Sequence, residues 1–289
     1  MTGTFSNAKK PHRQLVLIKG AGDLATGVAH RLHRAGFKVV MTEQEQPTVI
    51  RRPVAFARAV FDTEVEVEGV RARKIEPIGP GSSGQVEKQT GERLVNNIYT
   101  LIDKGIVPVV IDPRLQLLSY LKPGILIEGT LSKKNTGIGV DLAPLVLALG
   151  PGYQAGRDVH ALVETRRGHD LGRVIYSGEA IPNDGIPGPV EGYSSERLIK
   201  APASGLFQAG LAIGDLVSSG DLLGRVGTSD IRAAISGVVR GLIQDGFTVK
   251  QGMKIGDIDP RGIREYCFSI SDKARAVAGG VLEAILYFT

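Results

Sequence analysis

The sequence contains no tryptophan and a single cysteine, and aromatic residues of any kind are few. Among 289 residues there are only 8 Phe and 7 Tyr, against 38 Gly. The lone cysteine, Cys267, excludes an intramolecular disulfide framework and a metal site made of several cysteines, which is typical of a protein in a reducing compartment. The many glycines follow no collagen-like period and indicate tight turns rather than disorder.

Long apolar runs are absent as well. No stretch approaches the roughly 18–20 residues that a helix needs to cross a bilayer. The apolar residues 15–18 near the N-terminus stop at Lys19, which is too early for a signal peptide. We therefore predict a cytoplasmic protein without a membrane partner.

The charged residues have a small positive excess. There are 35 Lys and Arg against 30 Asp and Glu, and the pI is near 9.3. The basic residues are dispersed, and no basic run is interleaved with aromatic side chains that could stack on bases. The sequence therefore favours a small anionic ligand, above all a phosphate, over nucleic acid.

Alternating strand-like and helix-like segments predict an α/β fold. Residues 15–18 have the pattern of a buried strand, residues 23–34 that of a helix and residues 37–41 that of a second strand. The predicted parts are a flexible tail over 1–14, a Rossmann-like domain over 15–123, an α/β middle segment with polar, glycine-rich loops over 124–199, a small biotinyl/lipoyl-like barrel over 200–260, and a C-terminal strand and helix over 261–289.

The barrel is predicted from an internal repeat with a spacing of 32 residues. The repeat is carried by paired small and apolar residues, among them Ser204 and Ser236, Gly205 and Gly237, Gly214 and Gly246, Val217 and Val249. Two such halves resemble biotinyl and lipoyl domains, whose modifiable lysine lies in the hairpin that joins the halves. Residues 227–230 contain no lysine, so we predict a docking module rather than a swinging arm.

The last part of the chain predicts a helix that begins after Ser271, a residue type that caps helix N-termini. Gly279 and Gly280 lower its helix propensity and therefore predict close packing against another backbone. Lys273 and Arg275 lie in the first turn, where the helix dipole disfavours cations. A bound anion or salt bridges to acids elsewhere would each resolve this conflict.

A glycine-rich turn is the first candidate binding site. Residues 20–25 (GAGDLA) follow a strand and open a helix, the context in which such a turn holds a dinucleotide phosphate. The candidates for cofactor binding are Gly20, Gly22, Asp23 and Ala25, with Glu43 after the second strand placed to accept from ribose hydroxyls. Asp23 would repel a pyrophosphate, which counts against ordinary NAD binding. The alternative is a turn that only packs the helix on the sheet.

Two basic stretches are further candidates for binding an anion. Arg51 and Arg52 precede a predicted short helix and can clamp a phosphate or carboxylate. Lys133, Lys134 and Asn135 follow an apolar strand, and lysine, amide and free backbone N–H groups together suit an oxyanion. The respective alternatives are a solvated basic turn and a surface turn.

The middle segment concentrates polar side chains along one predicted strand and the turn after it: Asp158, His160, Glu164, Arg167, His169 and Asp170. On a strand, His160 and Glu164 would lie about 13 Å apart, too far to share one metal ion. Asp158 with His160, or Glu164 with His169, stay open as metal pairs, but we favour an anionic ligand and assign no metal ligand. The catalytic candidates are Lys134, His160, Glu164, His169 and Asp170.

Several motifs, spread in order over nearly the whole chain, resemble one protein family. They are residues 19–27 (KGAGDLATG), 50–52 (IRR), 133–137 (KKNTG), 150–153 (GPGY), 167–173 (RGHDLGR), 259–261 (DPR) and 270–275 (ISDKAR). In these motifs the sequence is similar to the YqeB-type accessory proteins of selenium-dependent molybdenum hydroxylases.

The resemblance implies a bacterial maturation protein for a xanthine-dehydrogenase-like hydroxylase, with the hydroxylase apoenzyme as partner. It supplies no catalytic residues, so the candidate site depends on the residues themselves. As a maturation factor, the protein would hold an anionic nucleotide- or molybdopterin-type intermediate. The alternative is an NAD(P)-dependent oxidoreductase acting on a small anionic substrate. Whether the protein is an enzyme, and whether it forms a homo-oligomer, stay open at this point.

Overall fold

The structure, a computed structural model, describes residues 14–76 and 84–289, and for residues 84–90 it describes the backbone alone. The predicted flexible tail, apart from Gln14, therefore lies outside the described residues. In the described ranges, no helix is long and apolar enough to cross a bilayer.

Strands and helices alternate through the first two thirds of the chain. The elements are β1 (Leu15–Lys19), α1 (Asp23–Arg34), β2 (Lys38–Glu43), α2 (Ala59–Asp62), β3 (Glu64–Val67), β4 (Val70–Ile75), α3 (Gly84–Asp103), β5 (Ile106–Ile111), α4 (Leu118–Leu121), β6 (Ile125–Glu128), β7 (Leu145–Leu149), β8 (Gln154–Ala155), β9 (Ala161–Val163), β10 (Val174–Ile175) and β11 (Gly178–Glu179). The predicted strand, helix and strand at the start of the chain are confirmed as β1, α1 and β2.

Within the described ranges, nine of these strands form one sheet in the order β10-β9-β7-β6-β1-β2-β5-β4-β3. The seven inner strands run parallel to one another, and the edge strands β10 and β3 pair antiparallel with their neighbours. The central strands β1, β6 and β7 are almost wholly buried, because parallel strands with both faces covered need apolar residues on both sides.

The remaining elements are β12 (Leu198–Lys200), β13 (Gly205–Ala209), β14 (Leu216–Val217), β15 (Leu222–Val226), β16 (Ser229–Arg232), β17 (Gly237–Leu242), β18 (Thr248–Val249), β19 (Lys254–Asp259) and α5 (Asp272–Phe288). The eight strands form two four-stranded antiparallel sheets, β12-β19-β17-β14 and β16-β15-β13-β18, around a core of their own. Strands that are 32 residues apart in the repeat, such as β13 and β17, lie in opposite sheets.

Helices cover both faces of the large sheet. Helices α1 and α5 pack on one face, and α3 and α4 pack on the other. Helix α5 therefore returns from the small sheets to the large one, where it lies beside α1. A Cβ built on Gly27 of α1 would lie 2.8 Å from the Cβ of Ala274 in α5, so glycine lets the two helices approach closely.

The predicted arrangement of a Rossmann-like domain, an α/β middle segment and a biotinyl/lipoyl-like barrel is wrong. Strand β6 pairs with β1 and continues the sheet into β7, β9 and β10, so both predicted parts contribute to one mixed sheet. The strands after β11 form two small antiparallel sheets rather than a closed barrel. The glycine-rich loops that suggested a separate middle segment connect strands of the large sheet to one another, to the two-stranded sheet of β8 and β11, and to β12.

The two glycines in α5 have different surroundings. A Cβ built on Gly280 would overlap the carbonyl oxygen of Gly172 and lie 2.8 Å from Cγ1 of Val163. A Cβ built on Gly279 would meet only a side-chain atom of Arg31, 3.9 Å away. Close packing against another backbone is therefore confirmed for Gly280 and not for Gly279.

The substitution Gly280→Ala is expected to lower the free energy of unfolding by about 2 kcal/mol, because the added Cβ has no room without a backbone shift. The neighbouring substitution Gly279→Ala is expected to raise it by up to about 1 kcal/mol, because alanine is the better helix former. Urea unfolding followed by circular dichroism measures both changes. Equal effects of the two substitutions would contradict the packing described for α5.

Candidate functional site

A cleft lies at the carboxyl ends of the central parallel strands, the edge at which open α/β sheets bind ligands. It consists of two adjoining cavities of about 660 and 760 Å³. The loops after β1, β6 and β9 form one wall, and residues of β17 and β19 form part of the other. The two cavities share six lining residues: Asp23, Leu24, Arg51, Leu131, Lys133 and Lys254.

The smaller cavity, called the cationic cavity below, is lined mainly by cations. Its described lining contains only two acids, Asp23 and Asp184. Against them stand five arginines and three lysines: Arg51, Arg166, Arg167, Arg197, Arg240, Lys133, Lys254 and Lys273. Each arginine has a carboxylate within 4 Å. Among the described residues, the three lysines have no such partner. The cavity therefore has an excess of positive charge.

Arg51 and Arg240 are the most unusual of these cations. They are only 7% and 6% exposed. Arg51 donates to the carbonyl oxygens of Tyr266 (3.0 Å) and Ser269 (3.2 Å), and Arg240 lies 3.3 Å from a carboxylate oxygen of Asp259. The Nε atoms of both arginines are buried without a hydrogen-bond partner in the described part of the chain. Burial, reinforced by the charge of Arg51, lowers the pKa of Arg240.

The first turn of α5 lies at the cationic cavity. The Oγ atom of Ser271 accepts from the backbone N–H of Ala274 (3.1 Å), which confirms the predicted N-cap. Arg275 forms an ion pair with Glu68 (2.7 Å), which removes the predicted conflict with the helix dipole. Lys273 lines the cavity, and burial lowers its pKa. Of the two cations in the first turn, Lys273 and Arg275, only Lys273 is therefore still in conflict with the helix dipole.

The larger cavity, called the mixed-charge cavity below, contains the predicted glycine turn: Gly20, Gly22 and Asp23 line it. Glu43 also lines it, and its Oε2 accepts from the backbone N–H of Ala21 (2.9 Å). Burial raises the pKa of Glu43. One backbone N–H of the turn is already occupied by the Glu43 carboxylate, and Asp23 brings a second carboxylate to the same turn. The turn therefore suits an anion less well than the dinucleotide-binding sequence pattern predicts. Ala25 is buried and lines neither cavity in the described chain.

The structure separates the residues of the predicted Lys-Lys-Asn site. Lys133 lines both cavities, whereas Lys134 belongs to neither described lining. The Oδ1 atom of Asn135 accepts from the backbone N–H groups of Gly137 (2.8 Å) and Ile138 (3.0 Å). Asn135 therefore stabilises its own loop, and only Lys133 is placed to contact a ligand.

The predicted convergence around His160 is not observed in the described cavities. The strand there covers only Ala161–Val163, so the expected alternation over 158–164 is not maintained. The Nδ1 atom of His160 accepts from the backbone N–H of Val146 (3.0 Å). His169 is exposed, and Asp170 pairs with Arg173 (3.3 Å). His160, His169 and Asp170 are absent from both described linings.

Of the predicted site residues Glu164 and Arg167, only Arg167 lines a described cavity. Glu164 is 1% exposed, and its carboxylate accepts three backbone N–H groups, those of Thr165, Arg166 and Ile181. It stabilises a buried turn outside the described linings. Arg167 lines the cationic cavity and donates two hydrogen bonds to Asp272 (2.7 and 3.0 Å). This contact holds the pKa of the Asp272 carboxyl well below its ordinary value.

The two adjacent arginines also differ. Arg52 lies outside both described linings, and it donates to the carbonyl oxygen of Leu242 and to the side chain of Gln244, each at 2.8 Å. Burial lowers the pKa of Arg52. Arg52 therefore links the segment after β2 to the small sheets through hydrogen bonds, while Arg51 lines the cleft.

Arg240, Lys254 and Arg197 are cleft residues that the sequence analysis did not identify. A signal was available for Arg240, because it interrupts the apolar run of β17 (GVVRGL) and arginine is almost never buried without a partner. Lys254 and Arg197 carry no comparable signal, since both lie in ordinary mixed sequence.

A buried polar network supports the floor of the cleft. Glu128, at the end of β6, accepts from the hydroxyl of Thr136 (2.6 Å) and lies 3.4 Å from Nζ of Lys19. Nζ of Lys19 also donates to Oγ1 of Thr136 (2.7 Å). The hydroxyl of Tyr153 joins at 3.0 Å, and burial raises its pKa. The network fixes the loop that carries Lys133.

Over the ranges that the structure describes, no three His, Cys, Asp or Glu side chains are grouped as metal ligands.

The fold and the cleft define an α/β protein with a cation-lined cleft at the carboxyl edge of a mixed sheet. No model of a known protein family matches the chain. The uncharacterized protein YqeB of Escherichia coli K12 is 50% identical over 273 residues, which cover 94% of this chain and 47% of YqeB. The chain therefore spans about half the length of this curated relative, and the similarity is to the matching part of YqeB. The resemblance to YqeB is confirmed, and this comparison does not test the maturation role.

The similarity to solved structures is weak. The product-bound ectoine utilization protein EutE (DoeB) from Ruegeria pomeroyi is 12% identical, with a TM-score of 0.25 over 86% of this chain and 85% of that chain. A succinylglutamate desuccinylase/aspartoacylase from Rhodobacter sphaeroides is 14% identical, with a TM-score of 0.25 over 86% of each chain. TM-scores this low support no conclusion about activity.

Proposed function

We propose that the protein binds a small polyanion of the phosphate-ester class in the cationic cavity. The observation that carries the proposal is the uncompensated positive charge of this cavity. Two buried arginines, Arg51 and Arg240, each have an Nε without a partner in the described chain, and three lysines of the same lining have no carboxylate within 4 Å among the described residues.

The energetics of this lining favour a ligand with several negative charges. Burial of Arg51 and Arg240 removes the water that would otherwise screen these two cations from each other, so their repulsion raises the free energy of the protein without a ligand. Burial is the main reason why the pKa of Arg240 is lowered, with the charge of Arg51 second, and burial also lowers the pKa of Lys273. Guanidinium groups donate in pairs to phosphate oxygens, and ammonium groups act as point charges toward them. A polyanion therefore supplies the negative charge and the hydrogen-bond acceptors that this lining lacks.

The dinucleotide alternative receives less support from the geometry. A pyrophosphate at the glycine turn would compete with Glu43 for the N–H of Ala21 and would face Asp23. We place the anion in the cationic cavity instead, where eight cations outnumber Asp23 and Asp184.

The proposed biological setting is the maturation of a selenium-dependent molybdenum hydroxylase. It depends on the sequence resemblance to the YqeB-type accessory proteins, and the cationic cavity supports it by suiting an anionic nucleotide- or molybdopterin-type intermediate. In this setting the protein would hold the intermediate and transfer it to the hydroxylase apoenzyme.

Inorganic triphosphate is expected to bind the protein with an affinity that falls as salt is raised. Lys133→Ala is expected to weaken binding about threefold, because this lysine is exposed and partly screened. Arg240→Gln is expected to weaken it by about tenfold or more, because this arginine is buried. The matched control is Lys134→Ala, which removes the adjacent lysine outside the described linings and should change the affinity by less than about twofold. Isothermal titration calorimetry measures all four proteins.

Thermal unfolding of each variant shows whether it is folded. The proposal is wrong if the wild-type protein binds no triphosphate at low salt. It is equally wrong if Lys134→Ala weakens binding as much as the substitutions at Lys133 and Arg240.

Triphosphate binding is expected to be accompanied by proton uptake at Lys273. Burial lowers the pKa of Lys273 in the unliganded protein, and an adjacent anion stabilises the charged form and raises that pKa. Between the two pKa values the ligand binds together with a proton, so its affinity falls as the pH rises through this interval. Calorimetry in buffers of different ionisation enthalpy measures the uptake. The uptake should be smaller in Lys273→Met, and identical uptake in both proteins would contradict the assignment.

The maturation role is tested in a bacterium that has both this protein and such a hydroxylase. Deleting the gene is expected to leave the amount of hydroxylase normal and to remove most of its activity. Complementation with the wild type or Lys134→Ala should restore activity, and Arg240→Gln should not. Unchanged hydroxylase activity in the deletion strain would falsify the role and favour the oxidoreductase alternative.

A further inference from the structure

The mixed-charge cavity differs in character from the cationic cavity that it adjoins. Its described lining contains four cations and three acids, so its charges nearly balance. Lys19 is paired with Glu128 (3.4 Å), and Asp257 with Arg197 (3.1 Å). The carboxylate of Glu43 accepts two backbone N–H groups. A group that enters this cavity therefore needs no net charge.

The walls of the mixed-charge cavity combine apolar and hydrogen-bonding groups. Leu24, Val49, Ile50 and Met253 contribute apolar surface, and Thr42 lines the cavity at the end of β2. Ligand cavities of this size usually join such apolar walls to a few polar groups that orient the ligand.

Thr42 provides an independent observation. Among the described residues, three buried side-chain N or O atoms have no hydrogen-bond partner: Oγ1 of Thr42, Nε of Arg51 and Nε of Arg240. All three belong to residues that line the cleft, Thr42 in the mixed-charge cavity, Arg240 in the cationic cavity and Arg51 in both. Buried polar atoms are nearly always paired in folded proteins, so atoms that lack a partner mark the places where a ligand would provide one.

We propose that the mixed-charge cavity is a second subsite, which holds an uncharged, hydrogen-bonding ring system covalently joined to the polyanion in the cationic cavity. The ligand then belongs to the chemical class of nucleoside polyphosphates, and Thr42 is the residue that recognises its ring. This assignment rests on the proposed function, because the polyanion anchors the ligand. Arg51, which lines both cavities, lies where the two halves of the ligand meet.

The test compares inorganic triphosphate with ATP, GTP, CTP and UTP by calorimetry. At least one nucleotide is expected to bind at least about tenfold more tightly than inorganic triphosphate, because its ring buries apolar surface in the second subsite. Thr42→Val should weaken binding of that nucleotide by about three- to tenfold, the range for one lost hydrogen bond. It should leave the affinity for inorganic triphosphate within about twofold. Thr100→Val, on α3, is the matched control and should change neither affinity.

A second variant keeps the test independent of Thr42. A Cβ built on Gly22 has no atom within 4 Å, so Gly22→Val is expected to fold and to fill part of the mixed-charge cavity. It should abolish the advantage of the nucleotide over inorganic triphosphate. Thermal unfolding checks the fold of each variant, and Thr42→Val should not be less stable than the wild type, because it removes an unpaired buried hydroxyl.

The possible failures are distinguishable. If inorganic triphosphate and all four nucleotides fail to bind, the proposed function itself is wrong. If inorganic triphosphate binds and no nucleotide binds more tightly, the second subsite is wrong while the polyanion site stands. If a nucleotide binds more tightly and Thr42→Val and Gly22→Val leave that difference unchanged, the ring lies elsewhere and the assignment is overturned.

Discussion

Arg51 and Arg52 hold three parts of the chain together through hydrogen bonds of their guanidinium groups. Arg51 lies beside Asp23 at the start of α1 and donates to the carbonyl oxygens of Tyr266 and Ser269, shortly before α5. Arg52 donates to the carbonyl oxygen of Leu242 at the end of β17. Because one guanidinium presents five N–H donors in a fixed plane, two consecutive arginines can fix the large sheet, the small sheets and the last helix relative to one another. The cleft is the space that remains between these parts.

The acids around the cleft limit the cost of concentrating so many cations. Asp257, Asp259 and Asp272 each pair with an arginine of the lining, and Asp259 is fully buried with Arg240 and Arg261 beside it. These pairs hold the guanidinium groups in place without neutralising the lysines. Buried ion pairs of this kind often stabilise a protein less than well-packed apolar side chains of similar volume do.

The sequence predicted the local elements better than the assembly. Strands β1 and β2 and helix α1 have strong periodicity, and the glycine turn lies at the edge of the sheet where the cleft opens. The pairing of β6 with β1 joins segments about a hundred residues apart, and no local pattern specifies it. The same limit applies to the site. The contact of Glu43 with the turn and the burial of Arg240 arise from tertiary packing, whereas His160 and Glu164 satisfy nearby backbone groups that a strand pattern does not reveal.

The return of α5 to the large sheet has a consequence for the order of folding. Among the described elements, the contact of Gly27 with Ala274 joins the first helix to the last, so it closes one of the largest loops in the described chain. During synthesis, the face of the sheet that α5 covers stays exposed to solvent until that helix leaves the ribosome, while the two small sheets pair strands that are close in sequence. Non-local contacts of this kind slow folding and expose apolar surface to aggregation. The newly made large sheet is therefore the part of this protein with the greatest need of a chaperone.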